Sequence, residues 1–505
     1  MTDKKFNDHI DVNELFLKCM TESVTEKLTA RTVATYITSP FAIHCNKFAP
    51  EAEKDEITAF EELLFQRGND HENQTVHAKF PNLVTIPFER PEDGFKLIID
   101  SMVSGTDILH GAPIYYLPEG IFGVADILEK SNTESSIFGN YHYTIKEVKL
   151  AKNIQENNIL QGAFYNYLLG KIQGITPKTF AMINGDGEES LHEYSDYDQL
   201  LFDSIDGARK ILQGGSISPT HGSCDYPWAS YCNKKAVETN DISLVAGVKG
   251  KMKNKLIDNK FNTMKKIASA NMEDLTEIKG IGNNKAEKFI ATAKALQAKT
   301  HIITDKDKID FPERKVEIFL DLEGIDPTTA ADGIPQIDYL IGILVRVDSK
   351  ENYISFTAKE AKEDAEKEML LEFLEFIKKQ NDYVIYHYAP YEKTHLTTMM
   401  KKYEIDEATK KTVLDYLIDV HKVARNSVAF PTYGNGLKQI APYIGFRWRH
   451  KDVSATESIS MYLDYVKNSE EGKVKFQKII DYNEDDCIAT RVIKDWLVSL
   501  NASER

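Results

Sequence analysis

The apolar run that begins at Val316 breaks at Phe319-Leu320-Asp321-Leu322-Glu323-Gly324, and this break constrains the fold more than any other stretch. Side chains alternate between the two faces of a strand, so Asp321 and Glu323 fall on one side of it. Much later, Tyr482-Asn483-Glu484-Asp485-Asp486-Cys487 has a helical pattern. Tyr482 and Asp486 are four residues apart there and share a face, which sets a phenol beside a carboxylate. A strand with two carboxylates and a late helix with a third describe a mixed α/β domain whose acidic groups converge.

The chain has 505 residues, more than one comfortable core, which implies two or three domains. The apolar fraction of 42% and charged fraction of 28% are ordinary for a globular protein. The stretch Met1–Asp8 shows no secretory pattern, and no apolar run approaches the roughly 18 residues needed to cross a membrane, so the expectation is a cytoplasmic protein with no membrane partner. A formal charge of −16 argues against a chain coated in nucleic-acid-binding surface, although clustered cation-holding carboxylates also make a chain acidic.

Residues 1–240 mix helical stretches (Glu51–Arg67, Asn158–Leu169, Tyr197–Leu212) with strand-like runs (Tyr143–Val148, Thr179–Ile183) and read as one α/β domain. Residues 246–300 differ: 12 lysines, no arginine and five acids give a local net charge of +7 in a helical pattern. Residues 301–315 read as a polar linker. From 316 to 505, strands (Val316–Leu322, Tyr339–Val345, Tyr383–His387) alternate with a helix over Glu360–Lys379, as in a second α/β domain.

Phosphodiester cleavage with two metal ions needs several carboxylates converging on cations roughly 4 Å apart. Asp321, Glu323 and Asp486 could be ligands, Tyr482 could orient water, and Glu392 in His387-Tyr388-Ala389-Pro390-Tyr391-Glu392 is a fourth ligand candidate. Residues 316–500 resemble the DnaQ-like, DEDD-type 3′–5′ exonucleases of ribonuclease-H-like fold, in the branch attached to RecB-like nuclease domains. Asp321-Leu322-Glu323 matches the first motif, Tyr482 with Asp486 matches the third, and Tyr433–Ile440 is similar to the segment before it. The second motif usually ends in Asp, where this chain has Glu392, one methylene longer. Asp419 is a nearby supporting carboxylate.

A second series lies upstream. Gly123-Val124-Ala125-Asp126 precedes Glu147-Val148-Lys149, a strand on which Glu147 and Lys149 point the same way. One carboxylate from each side of a hairpin can bind a cation, and a lysine at that edge can stabilise charge on a phosphate. Gln161 and Tyr165 share a helix face, and His71 could complete a metal site. The order of these groups resembles the RecB-type branch of the PD-(D/E)XK nucleases over residues 28–235. The resemblance implies a metal role for His71, Asp126 and Glu147, and catalytic roles for Lys149, Gln161 and Tyr165. Many members hold an iron–sulfur cluster on four cysteines. Here Cys45, Cys224 and Cys232 are one short, Ser39-Pro40 stands where a Cys-Pro step is usual, and Pro227 stands at the middle cysteine position. A zinc site completed by His44 or His221, or a remnant without metal, are the alternatives.

In the basic block, Leu275–Ala286 resembles a helix–hairpin–helix motif. Its hairpin Gly280-Ile281-Gly282 lets backbone N–H groups approach a phosphate, Lys279 and Lys285 flank it, and Leu275, Ile278, Ala286 and Ile290 pack its helices. Arg447-Trp448-Arg449-His450-Lys451 is a further basic strip able to stack a base.

The fold class expected is therefore α/β: an N-terminal PD-(D/E)XK restriction-endonuclease-like domain, a central all-α helix–hairpin–helix module, and a C-terminal ribonuclease-H-like domain. The implied function is a Mg²⁺- or Mn²⁺-dependent nuclease with two active sites, acting on nucleic acid, DNA ahead of RNA, with a helicase among its conceivable partners and DNA repair among the compatible pathways. The alternative is a nucleic-acid- or helicase-binding scaffold in which one or both sites are inactive.

Overall fold

The computed structural model describes residues 10–325, 336–451, 453–467 and 469–502. The stretch Met1–Asp8, read above for targeting, lies outside them. The chain divides into two compact units, one formed by residues 1–56 and 64–232, the other by residues 57–63 and 233–505. The basic block therefore belongs with the C-terminal α/β domain in one unit.

The first unit is built on a six-stranded sheet in sequential order: Val84–Thr85, Ile108–Tyr116, Ile121–Ser131, His142–Val148, Thr179–Ile183 and Glu189–Glu193. The pairs 108–116/121–131 and 121–131/142–148 are antiparallel, whereas 142–148 and 179–183 run parallel. That parallel step needs a crossover, supplied by the helix Glu156–Gln173, whose Leu160, Ala163, Phe164 and Leu168 enter the core with Tyr143 and Ile145. The helix expected at Glu51–Arg67 begins later. Glu51–Glu53 forms only a 3₁₀ turn, and the α-helix is Ala59–Lys79. Its start is a reciprocal cap: Thr58 Oγ1 accepts from Glu61 N (3.2 Å), and Glu61 Oε2 accepts from Thr58 N (2.9 Å).

In the second unit a five-stranded sheet has the order Lys350–Thr357, Asp338–Val347, Val316–Gly324, Tyr383–His387, Leu417–Asp419. The first three strands are antiparallel and the last two join in parallel. Phe319 and Leu344 pack with Cys487, Ala489, Ile493 and Leu497 of the long helix Glu470–Ala502. The odd-numbered face of the 316–324 strand thus meets that helix, bringing residues 321 and 323 toward residue 486. The segment read as a linker holds a short strand, Ile302–Ile303, paired antiparallel with Val428–Ala429, and buries Ile309. No described helix is long and apolar enough to cross a membrane.

Candidate nuclease sites and nucleic-acid interface

Asp321, Glu323 and Asp486 each offer a carboxylate oxygen within 4.8 Å of the others, the only such group of three among the described residues. Burial, and then the charges of Asp486, Glu323 and Glu392, push the Asp321 carboxyl well above the usual carboxylate range. Burial and then Asp486 raise Glu323 to about 8. Burial also raises Asp486 to about 6, against the pull of Lys438 and of a hydrogen bond from Trp448. Two buried carboxylates and a half-buried third that repel one another are the environment a cation would relieve.

The neighbours fix each carboxylate. Asn483 Nδ2 donates to Asp321 Oδ2 (2.7 Å), while its Oδ1 accepts from Tyr353 OH (2.8 Å). Gly342 is the cross-strand partner of Asp321, and a Cβ built there would lie 1.6 Å from Asn483 Oδ1. The missing side chain is what admits the asparagine. Gly342→Ala is expected to expel Asn483, cost about 1–3 kcal/mol of stability and lower hydrolysis at this site. Differential scanning calorimetry beside an activity assay checks both, and an unchanged melting temperature would refute the packing argument. Ser458 Oγ donates to Glu323 Oε2 (3.1 Å), and its hydroxyl is 2.7 Å from that of Tyr339. Trp448 Nε1 donates to Asp486 Oδ1 (2.6 Å).

Tyr482 is buried, shares the helix face of Asp486, and accepts a hydrogen bond from Lys438 Nζ, which also lies 3.9 Å from the ring centre. Burial lowers the Lys438 pKa, opposed by Asp486, Glu323 and Asp321, so this lysine faces the whole acidic group. Within the basic strip 447–451, Trp448, Arg449 and His450 engage the long helix. Besides Trp448, Arg449 engages Asp485 through its backbone N and Nε (2.7 and 2.9 Å), and His450 Nε2 is 3.0 Å from Asp481.

Glu392 is buried outside the trio, although its charge reaches Asp321. His387 Nδ1 lies 3.4 Å from its Oε2, and that oxygen has no hydrogen-bond partner among the described residues. Asp419 is committed elsewhere: Oδ1 accepts from Ala389 N (3.2 Å) and Lys422 N (2.9 Å), capping one helix and holding the turn that leads to Glu392. The donor set is all hard oxygen with an unpaired buried acceptor at its edge, which fits Mg²⁺ or Mn²⁺ better than a soft metal.

At the N-terminal site, carboxylates replace missing ladder partners at the end of a hairpin. Glu147 Oε1 accepts from Asp126 N (3.1 Å), and Asp126 Oδ2 accepts from Val148 N (2.7 Å). Lys149 Nζ is 3.0 Å from Glu147 Oε2 and 3.9 Å from Asp126 Oδ2. Burial, then the charge of Glu147, pushes Asp126 well above the usual range. Tyr165 reaches the pair, its phenol pKa raised by burial and then by Glu147 and Asp126. Gly123 makes room for it, since a Cβ there would sit 2.8 Å from the Tyr165 ring. Gln161, one turn earlier, lines a cavity of about 530 Å³ with Arg31, Asn157 and Tyr226. His71 is buried with Nε2 3.4 Å from Thr75 Oγ1. The group on its helix whose charge acts on Asp126 and Lys149 is the neighbouring Glu72, which the sequence reading passed over.

Cys45, Cys224 and Cys232 are free thiols buried around Trp228 and Phe41. Ser39 Oγ donates to Cys224 Sγ (3.0 Å), and Cys232 Sγ donates to Thr220 O (3.3 Å). Three sulfurs and a serine hydroxyl do not supply the four thiolates of an iron–sulfur cluster. In the basic block, Leu275, Ile278, Ala286 and Phe289 pack the helix pair, Ile290 lies partly buried against them, Gly280 turns with φ +98°, and Gly282 caps the helix Asn283–Ala298. Lys279 and Lys285 are exposed beside this hairpin. A preceding hairpin, unforeseen from the sequence, turns at Gly247 (φ +88°) before the helix Gly250–Asp258.

Residues 318–498 match the family model of the RNase_H superfamily, and residues 241–295 match a SAM-like helix-hairpin-helix tandem. The chain thus carries an RNase H-like domain and a double helix–hairpin–helix module, a combination that points to a nuclease acting on nucleic acid. No curated relative matches it.

Proposed function

We propose that this chain is a divalent-cation-dependent nuclease with two hydrolytic heads, a 3′–5′ exonuclease at Asp321, Glu323 and Asp486 and a RecB-like PD-(D/E)XK nuclease at Asp126, Glu147 and Lys149. The observation that carries the reading is the convergence of the Asp321, Glu323 and Asp486 oxygens within 4.8 Å on a strand and helix brought together by an RNase H-like domain.

Asp321, Glu323 and Asp486 would hold Mg²⁺ or Mn²⁺, which supplies charge to the phosphate and lowers the pKa of an attacking water. Asn483, Ser458 and Trp448 keep those carboxylates oriented before substrate arrives. The buried Tyr482 hydroxyl, held by Lys438, can orient the water beside Asp486, and Lys438 adds positive charge opposite the phosphate. At the other head, Asp126 and Glu147 would hold a cation, and Lys149 is placed to meet charge developing on phosphorus-bound oxygen. Nucleic acid is the substrate, DNA ahead of RNA.

Calorimetric titration of Mn²⁺ tests this. Asp321→Ala should abolish one class of binding and Glu147→Ala another. Identical isotherms for wild type and both variants would favour a scaffold with inactive sites.

A further inference from the structure

A cavity of about 420 Å³ opens within the second unit, between the helix–hairpin–helix module and the RNase H-like domain. Lys249 of the first hairpin, Lys285 and Lys288 of the helix Asn283–Ala298, and His421 and Arg425 of the helix Val420–Ser427 line it, and no Asp or Glu does. In a chain of net charge −16, such a lining is a concentrated departure from the average. Lys288 Nζ donates to the neutral Asn426 Oδ1 (2.7 Å). Burial, then Arg425 and Lys308, hold its ammonium below the ordinary lysine range, and Glu287 only partly offsets them. These cations repel one another, and the acids that act on them, Glu287 and Asp419, lie outside the cavity lining.

The wall also contains Tyr433, a ring with 41% of its surface exposed. Tyr433-Gly434-Asn435 runs directly into Gly436, the N-cap of the helix Leu437–Tyr443 that carries Lys438 to Tyr482. Tyr388 OH donates to Asn435 O (2.6 Å), tying this wall to the turn before Glu392. The cavity and the acidic site are therefore consecutive along one short piece of chain. Its volume falls within the roughly 300–1,000 Å³ typical of sites for a single small ligand.

We propose that this cavity holds one nucleotide unit of a single-stranded nucleic acid, with Lys249, Lys288 and Arg425 on its phosphate and Tyr433 offering its ring to a neighbouring base. Backbone charge gives affinity without sequence preference, and the aromatic face accepts any base. The inference rests on the nuclease reading for the strand's destination, the Asp321 site.

Fluorescence anisotropy with labelled dT12 and U12 in EDTA tests it. Lys288→Gln combined with Arg425→Gln should weaken binding at least about tenfold near 0.1 M salt and reduce the log–log salt slope by about 0.7, the single-strand value for the one phosphate they share. Lys249→Gln with Lys285→Gln should act in the same direction, which covers a first pair that fails to fold. Hydrolysis of thymidine 5′-p-nitrophenyl phosphate with Mn²⁺ should be unchanged in the folded Lys288/Arg425 pair. Unaltered oligonucleotide affinity in both pairs overturns the proposal. So does wild-type binding of polyglutamate as tight as that of dT12, because the cavity would then take acidic protein. If wild type binds oligonucleotides through these cations but hydrolyses neither substrate, the cavity assignment stands and the nuclease reading fails.

Discussion

Replacing Asp321 with Asn should lower hydrolysis at the C-terminal site at least about 10³-fold, equivalent to roughly 4 kcal/mol of lost transition-state stabilisation. Asp321 is the carboxylate on which the charges of Asp486, Glu323 and Glu392 all act, so it lies at the centre of the acidic group. Asparagine keeps the shape but removes the negative charge that a cation needs. The same substitution should raise the melting temperature of the cation-free protein, because it removes repulsion that the native state tolerates for function. Single-turnover cleavage of a 3′-labelled oligonucleotide and a thermal melt in EDTA read the two effects. A rate within tenfold of wild type would exclude Asp321 from the chemistry.

The cation-free protein should lose stability as pH rises, and Mn²⁺ should restore it. Glu323 at about 8 and Asp486 at about 6 both lie above ordinary carboxylate values near 4. A group whose folded pKa is raised contributes stability that is fully present below its unfolded pKa and is lost as pH climbs through the folded one. The window is therefore about pH 4 to 8, with the steepest loss between about 4 and 6, where both groups stay protonated only in the folded state, and a shallower loss up to about 8. In EDTA, the stability advantage of Asp321→Asn over wild type should widen across that range. At a Mn²⁺ concentration of about 100 Kd the wild type should gain about 2.7 kcal/mol, or roughly 5–10 °C, and the variant much less. Parallel melting curves for the two proteins from pH 5.5 to 8.5, with and without Mn²⁺, would contradict the electrostatic account.

What the sequence made legible was local. The two-residue period placed Asp321 and Glu323 on one face, and the four-residue spacing paired Tyr482 with Asp486, so the acidic trio could be named before its geometry was seen. The hairpin pairing of Asp126 with Glu147 and the Gln161/Tyr165 helix followed the same logic. What escaped was set by tertiary contact. Lys438 reaches Tyr482 across 44 residues and Asn483 reaches Asp321 across 162, and neither has a sequence period to announce it. Trp448 sits in a strip that reads as exposed and basic, yet it turns its indole onto Asp486. Glu72 was hidden behind its neighbour His71, because a helix sends adjacent residues about 100° apart and only the fold decides which one faces the site. The strand Lys350–Thr357 is an exposed edge with little apolar alternation, so its pattern was too weak to read. The first hairpin at Gly247 was submerged in a lysine-rich stretch whose charge, rather than its turn, drew the reading.

The central claim, two live hydrolytic heads on one chain, is tested most directly by following 5′- and 3′-labelled single- and double-stranded DNA and RNA with Mn²⁺. The comparison is wild type against Glu147→Ala, Asp321→Ala and the double variant. The account predicts that each single substitution removes a different product ladder and that the double variant is inert while still binding. A double variant that degrades these substrates as wild type does, or a wild type that binds them and cleaves none, would contradict it.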